Sequence, residues 1–121
     1  MAQTIYERAG GFATVRKIVS DFYDKVLDSP RLQRHFEGID MRVLIDHQTK
    51  FIASVMGGPA AFSDDALERV HKHLGITQQD FAEMTELLRE TLEDFDLAES
   101  DVDEVCRQIT KRERVIVSRH G

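Results

Sequence analysis

The stretch "FATVRKIVSDFYDKVLDSP", residues 12–30, decides the fold class. From Phe12 onward Val15, Ile18, Val19, Phe22, Tyr23, Val26 and Leu27 recur at intervals of three and four, the period of a helix with one buried face. Ser29-Pro30 closes the stretch and opens the next, because serine suits an N-cap and proline the first helical position. "PRLQRHFEG" should therefore run for a turn or two and stop at Gly38, leaving Phe36 pointing inward. Towards the N-terminus, Thr4 and Glu7 of "TIYERAGG" stand at capping-box spacing, and the Gly10-Gly11 pair ends that short helix.

Towards the C-terminus the same period persists. Asp40 should cap "MRVLIDHQTKFIASVMGG", whose inward stripe reads Leu44, Gln48, Phe51, Ile52 and Val55 before the Gly57-Gly58-Pro59 break. "SDDALERVHKHLG" starts at Ser63 and places Leu67, Val70, His71 and Leu74 on one face; His73, roughly 200° around from His71, faces away. Thr77 and Asp80 mark another helix start, with Ile76 able to staple onto Phe81, and Met84, Leu88, Leu92 and Phe95 continue the apolar face. A last helix begins near Ser100 and carries Val102, Val105, Cys106, Ile109 and Ile116. No strand pattern and no internal repeat emerges. The expected architecture is a single all-α domain over residues 1–121, built of short helices with glycine-rich corners.

Composition narrows the function classes. A chain of 121 residues, 41% hydrophobic and 31% charged with two prolines, suits one folded, helix-rich core rather than a disordered segment. The net charge of -6 opposes the phosphate attraction on which nucleic-acid binding depends. No apolar run reaches the roughly 20 residues of a membrane span, and "MAQTIYERAGG" lacks the pattern of a secretory signal, so a cytosolic place is expected. Cys106 is the only cysteine, which excludes an internal disulfide and reads as core.

Three polar or ionisable groups sit on otherwise apolar faces: Tyr23, Gln48 and His71, with His47 flanking the Gln48 stripe. Buried groups of this kind need partners or a ligand. Taken singly, His71 reads as a core histidine bonded to a carbonyl, Tyr23 as a core residue with its hydroxyl at the edge, and Gln48 as partly exposed. Their combination on three helices asks for more.

In that order, "DFYDKVL", "HFEGIDM", "HQTKFIASVMGGP" and "VHKHLGI", with the Gly10-Gly11 corner before them and "DFAEMTELLRETL" after, resemble the group I truncated haemoglobins from Ile5 to about Val117. The resemblance implies a truncated globin fold, a two-over-two helical sandwich around a haem. It puts the proximal iron ligand on His71, which agrees with the apolar face that carries it, and imidazole is a good iron ligand that leaves the opposite site open to a diatomic gas. Phe36 matches the aromatic on the porphyrin face, and Tyr23 and Gln48 match two hydrogen-bond donors over the bound gas. Leu44 stands at a place that is polar in some members, so two donors rather than three are expected. Phe62, Leu67, Ile76, Phe81 and Met84 are the apolar residues expected at the haem edge.

His47 has two readings that remain open: a sixth iron ligand, as in some cyanobacterial members, or a partner of a haem propionate at the pocket mouth. Thr110 stands where some members carry a histidine bonded covalently to haem, and there is no C-x-x-C-H, so the haem b is expected to be non-covalent. The implied function is binding of oxygen, nitric oxide and carbon monoxide, with oxygen-dependent conversion of nitric oxide to nitrate (a dioxygenase-type activity) driven by an external reductase, since no flavin or nicotinamide signature is present. The alternatives are a bis-histidine electron-transfer or redox- and gas-sensing protein using His71 and His47, and a globin-like module without cofactor in which His71 is core.

Overall fold

Thr4 closes its capping box as expected: its hydroxyl accepts from the Glu7 N–H and its own N–H donates to the Glu7 carboxylate, starting α1 (Ile5–Ala9). Gly10 ends that helix at φ +113, where a side chain would be strained and a Cβ would meet the Thr14 hydroxyl at 2.6 Å. The chain then enters α2 (Phe12–Asp28), α3 (Pro30–Gln33) and a 3₁₀ turn (Arg34–Phe36). Next come α4 (Met41–Val55), capped by Asp40, then α5 (Gln78–Asp94) and α6 (Glu99–Thr110). These elements belong to a computed structural model that describes residues 3–58 and 76–112. The expected helix from Ser63, with Phe62, Leu67, His71 and His73, and the tail with Ile116 lie outside the described residues.

The helices pair in two layers: α2 packs on α4, α5 packs on α6, and α2 crosses α5. The period read from residues 12–30 sets this up, because Val15, Ile18, Val19, Phe22, Tyr23 and Val26 are all buried. Between the layers Ile18, Val26, Leu32, Leu92, Val102 and Val105 lose all or nearly all of their solvent contact. Each such aliphatic side chain contributes about 1.5–3 kcal/mol. Val55, Met84 and Phe95 are only half-buried, as befits residues at the edge of their stripes.

Local capping sets where α5 begins. The Thr77 hydroxyl accepts from the Asp80 N–H while the Asp80 carboxylate accepts from the Thr77 N–H, and Ile76 and Phe81 on either side are buried. Ser29 behaves differently from the expectation. Its backbone holds the N-cap position of α3, but its hydroxyl donates to Glu83 of α5 at 2.6 Å instead of capping. A hydroxyl can donate and accept at once, so it is the orientation it takes towards the Glu83 carboxylate that removes it from the cap.

The N-terminal helix is held by polar contacts that link residues far apart in the chain. Arg8 grips Asp101 through two N–H groups, at 2.9 and 2.7 Å, which draws the Asp101 carboxyl below the usual carboxylate range. Gly58 lets the end of α4 approach α1: its N–H donates to Ala53, and a Cβ there would strike the Tyr6 ring at 2.8 Å. Among the described residues no helix is long and apolar enough to cross a membrane.

Candidate functional site

Helices α2 and α4 bring Tyr23 and Gln48 to one place. Both are buried, at 4% and 7% exposure, and both line an apolar cavity of about 60 Å³ completed by Phe51, Phe81, Met84 and Leu88 among others. That space accepts a molecule of a few heavy atoms. Helical phase explains the convergence: Tyr23 lies on the face of α2 with Val19 and Val26, and Gln48 lies one turn from Leu44 and Ile52 on α4. Burial pushes the Tyr23 phenol well above its ordinary range, so at neutral pH it keeps its proton and can donate it in a hydrogen bond.

Aromatic neighbours fix the phenol ring. Phe22 meets it edge-on at 4.9 Å between centroids, and Phe36 meets it from the 3₁₀ turn at 5.8 Å, again edge-on. Phe36 is buried as expected. Phe22 was legible as core but not as a neighbour of Tyr23, because adjacent helical positions normally diverge. Thr85 also lines the cavity, with its hydroxyl occupied by the Phe81 carbonyl at 2.9 Å, so this wall stays effectively apolar.

Of the other residues expected at the site, Leu44, Ile76 and Phe81 are buried and Met84 is half-buried. His47 does not join Gln48 inside. It is exposed and, with Ile39, Asp40, Val43 and Leu44, lines a second depression beside α4. Val43, 54% exposed, makes that depression markedly apolar. Cys106 is buried on α6, and burial pushes its thiol up from the ordinary value, which suits packing and not redox reactivity. Phe62, Leu67 and His71 lie outside the described residues.

One buried pair had no counterpart in the sequence reading. His35 of the 3₁₀ turn places Nε2 2.7 Å from Oδ2 of Asp80 at the start of α5, with the two side chains 10% and 2% exposed. Burial alone would raise the Asp80 carboxyl, but the Thr77 N–H and hydroxyl and the His35 ring together hold it below the usual carboxylate range. A depressed folded value means that Asp80 contributes stability above the ordinary carboxylate range, and that this is lost as pH falls through the lower folded value. Asp80→Asn should therefore cost about 1–3 kcal/mol at neutral pH, and the gap to wild type should narrow below about pH 4. Urea unfolding at pH 7 and in acid checks this, and parallel pH profiles for the two proteins would refute it.

Comparison with known proteins gives the family. The family profile described as bacterial-like globin matches residues 4–118. A group 1 truncated haemoglobin of Tetrahymena pyriformis is 30% identical over 107 residues, 88% of this chain and 88% of that protein. The crystal structure of the truncated haemoglobin from that organism superposes with a TM-score of 0.86 at 27% identity, covering 97% of this chain and all of the other. The 2/2 haemoglobin of a Synechococcus species, solved with covalently attached haem, gives 0.87 at 29% identity over 97% of this chain and all of the other. The chain belongs to the bacterial-like globins, among the group 1 truncated haemoglobins, a haem globin family with the two-over-two fold.

The described residues suit a haem. An apolar wall made by α2, α4 and α5 carries two neutral donors, a phenol and an amide, and among the described residues no carboxylate or ammonium group lines the cavity. Such a wall accommodates a porphyrin face and a small gas without placing an unpaired charge in a dry space.

Proposed function

We propose that this chain holds a non-covalent haem b with His71 as the proximal iron ligand and Phe36, Leu44, Phe62, Leu67, Ile76, Phe81 and Met84 around the porphyrin, and that it converts nitric oxide to nitrate with oxygen. The observation that carries this reading is the pair of buried donors, Tyr23 and Gln48, on one apolar cavity of diatomic size. Bound haem supplies the iron that takes the gas and the redox chemistry in which nitric oxide, oxygen and one electron give nitrate, the electron coming from an external reductase in the cytosol.

The side chains do the rest. The Tyr23 hydroxyl and the Gln48 amide N–H donate to a diatomic that carries partial negative charge, and the apolar walls keep water from competing. Since the phenol stays protonated, this donation persists across the physiological pH range. Oxygen held in this way is retained for the second gas. Carbon monoxide, with less charge on its outer atom, gains less from the same donors. Thr110, at the position of the covalent histidine of some members, has its hydroxyl on the Cys106 carbonyl at 2.9 Å, which supports a haem held without a protein bond.

Rapid mixing of the oxygen-loaded protein with nitric oxide tests the reaction. Stoichiometric nitrate, formed much faster than nitric oxide is consumed in oxygenated buffer without the protein, is the expected result. Nitric oxide loss no faster than in that buffer, or loss without nitrate, would end the dioxygenase reading while leaving gas binding in place.

His47 lines one depression with Leu44, a residue placed against the porphyrin, so both of its readings, propionate partner and sixth iron ligand, stand. If His47 pairs with a propionate, His47→Ala should leave the coordination and spin state of the reduced protein unchanged in its absorption spectrum. Conversion from a low-spin to a high-spin spectrum in the variant would instead assign His47 to the iron and carry the bis-histidine reading.

A further inference from the structure

We propose that His35 is a positioning residue for the gas pocket: its pairing with Asp80 fixes the 3₁₀ turn against α5 and thereby holds Phe36 on the Tyr23 ring. This rests on the reading of Tyr23 as the donor to the bound gas. The turn has little of its own to define it. It spans three residues, is followed by extended Glu37 and by Gly38 at φ +77, and has one backbone bond beyond it, from the Ile39 N–H to the Phe36 carbonyl. In a 3₁₀ turn neighbouring side chains diverge by roughly 120°, so His35 and Phe36 point to different partners, one to α5 and one to Tyr23.

The far end of the pair is rigid. Asp80 sits in the capping box with Thr77, its carboxylate already accepting the Thr77 N–H, and is almost fully buried. The next residue, Phe81, lines the gas cavity. The single contact at 2.7 Å therefore joins the segment that carries Phe36 to the segment that carries Phe81. The nearby Ser29–Glu83 bond ties the same two segments further from Phe36, and provides a comparison in which a tie is lost without touching the pocket.

Oxygen release from the haem-loaded protein, measured for wild type, His35→Leu, Tyr23→Phe and the double variant, tests the coupling. His35→Leu should speed release by roughly two- to tenfold in the wild-type background and have no further effect once Tyr23 is phenylalanine. His35→Gln, which keeps an N–H donor for Asp80, should recover much of the wild-type rate, Asp80→Asn should reproduce the His35→Leu effect in a milder form, and Ser29→Ala should leave the rate unchanged. A second readout does not depend on gas: the chain has only Tyr6 and Tyr23 as tyrosines, so fluorotyrosine labelling yields two fluorine resonances, of which His35→Leu should move only that of Tyr23. Equal acceleration by His35→Leu with and without Tyr23, or an unmoved Tyr23 resonance, overturns the proposal. If Tyr23→Phe itself leaves oxygen release unchanged, the donor reading fails, and the fluorine spectrum alone then decides whether His35 positions the ring.

Discussion

Tyr23→Phe is expected to speed oxygen release by roughly 10- to 100-fold, which is what a hydrogen bond of about 1.5–3 kcal/mol to a charged acceptor implies. The size follows from the surroundings of the phenol. It is 4% exposed, held edge-on by Phe22 and Phe36, and kept protonated by burial, so its donation is neither screened by water nor lost to ionisation. Phenylalanine keeps the ring and its packing and removes only the hydroxyl, so stability should change little while the rate changes much. Gln48→Leu should act in the same direction. A release rate within about twofold of wild type for Tyr23→Phe would mean that the hydroxyl does not reach the gas.

The larger effect is expected at His71. His71→Gly should weaken haem binding by more than about 100-fold, since even the partners behind a metal-bound histidine are commonly worth 10- to 100-fold. Free imidazole, able to occupy the vacated space, should restore haem uptake and a five-coordinate reduced spectrum. Measured by hemin titration, tight binding by His71→Gly without imidazole would show that another side chain holds the iron. The same titration on His73→Gly should match wild type if the two-residue spacing from His71 sets it roughly 200° around a helix, as the sequence pattern predicts.

Much of the fold was legible because the helices announce their own ends. The capping boxes at Thr4 and Thr77, the Asp40 cap and the glycine corner at Gly10 are local features, each written within a few residues. The stripe on residues 12–30 is likewise local, and it placed Tyr23 on a buried face before any packing was known. Gln48 stood out for the same reason, as an amide in a row of apolar residues.

What escaped notice is what crosses between segments. The Arg8–Asp101 fork and the His35–Asp80 pair join residues 93 and 45 positions apart, and no local spacing signals either. Ser29 illustrates the competition: a sound local signal for an N-cap yields to Glu83, a partner that only the tertiary fold supplies. His47 shows the limit of reading a stripe by its neighbours. Although it precedes Gln48, the turn of about 100° between adjacent residues sets it off the buried face and beside Val43 and Leu44.

The central claim is that this globin holds a haem whose iron takes a gas beneath Tyr23 and Gln48. The absorption spectrum of the purified protein, oxidised, dithionite-reduced and reduced under carbon monoxide, tests it most directly. The account predicts a haem spectrum at one haem per chain, a shift on reduction and a further shift with carbon monoxide. A folded protein that shows no haem bands and takes up no added hemin would contradict it.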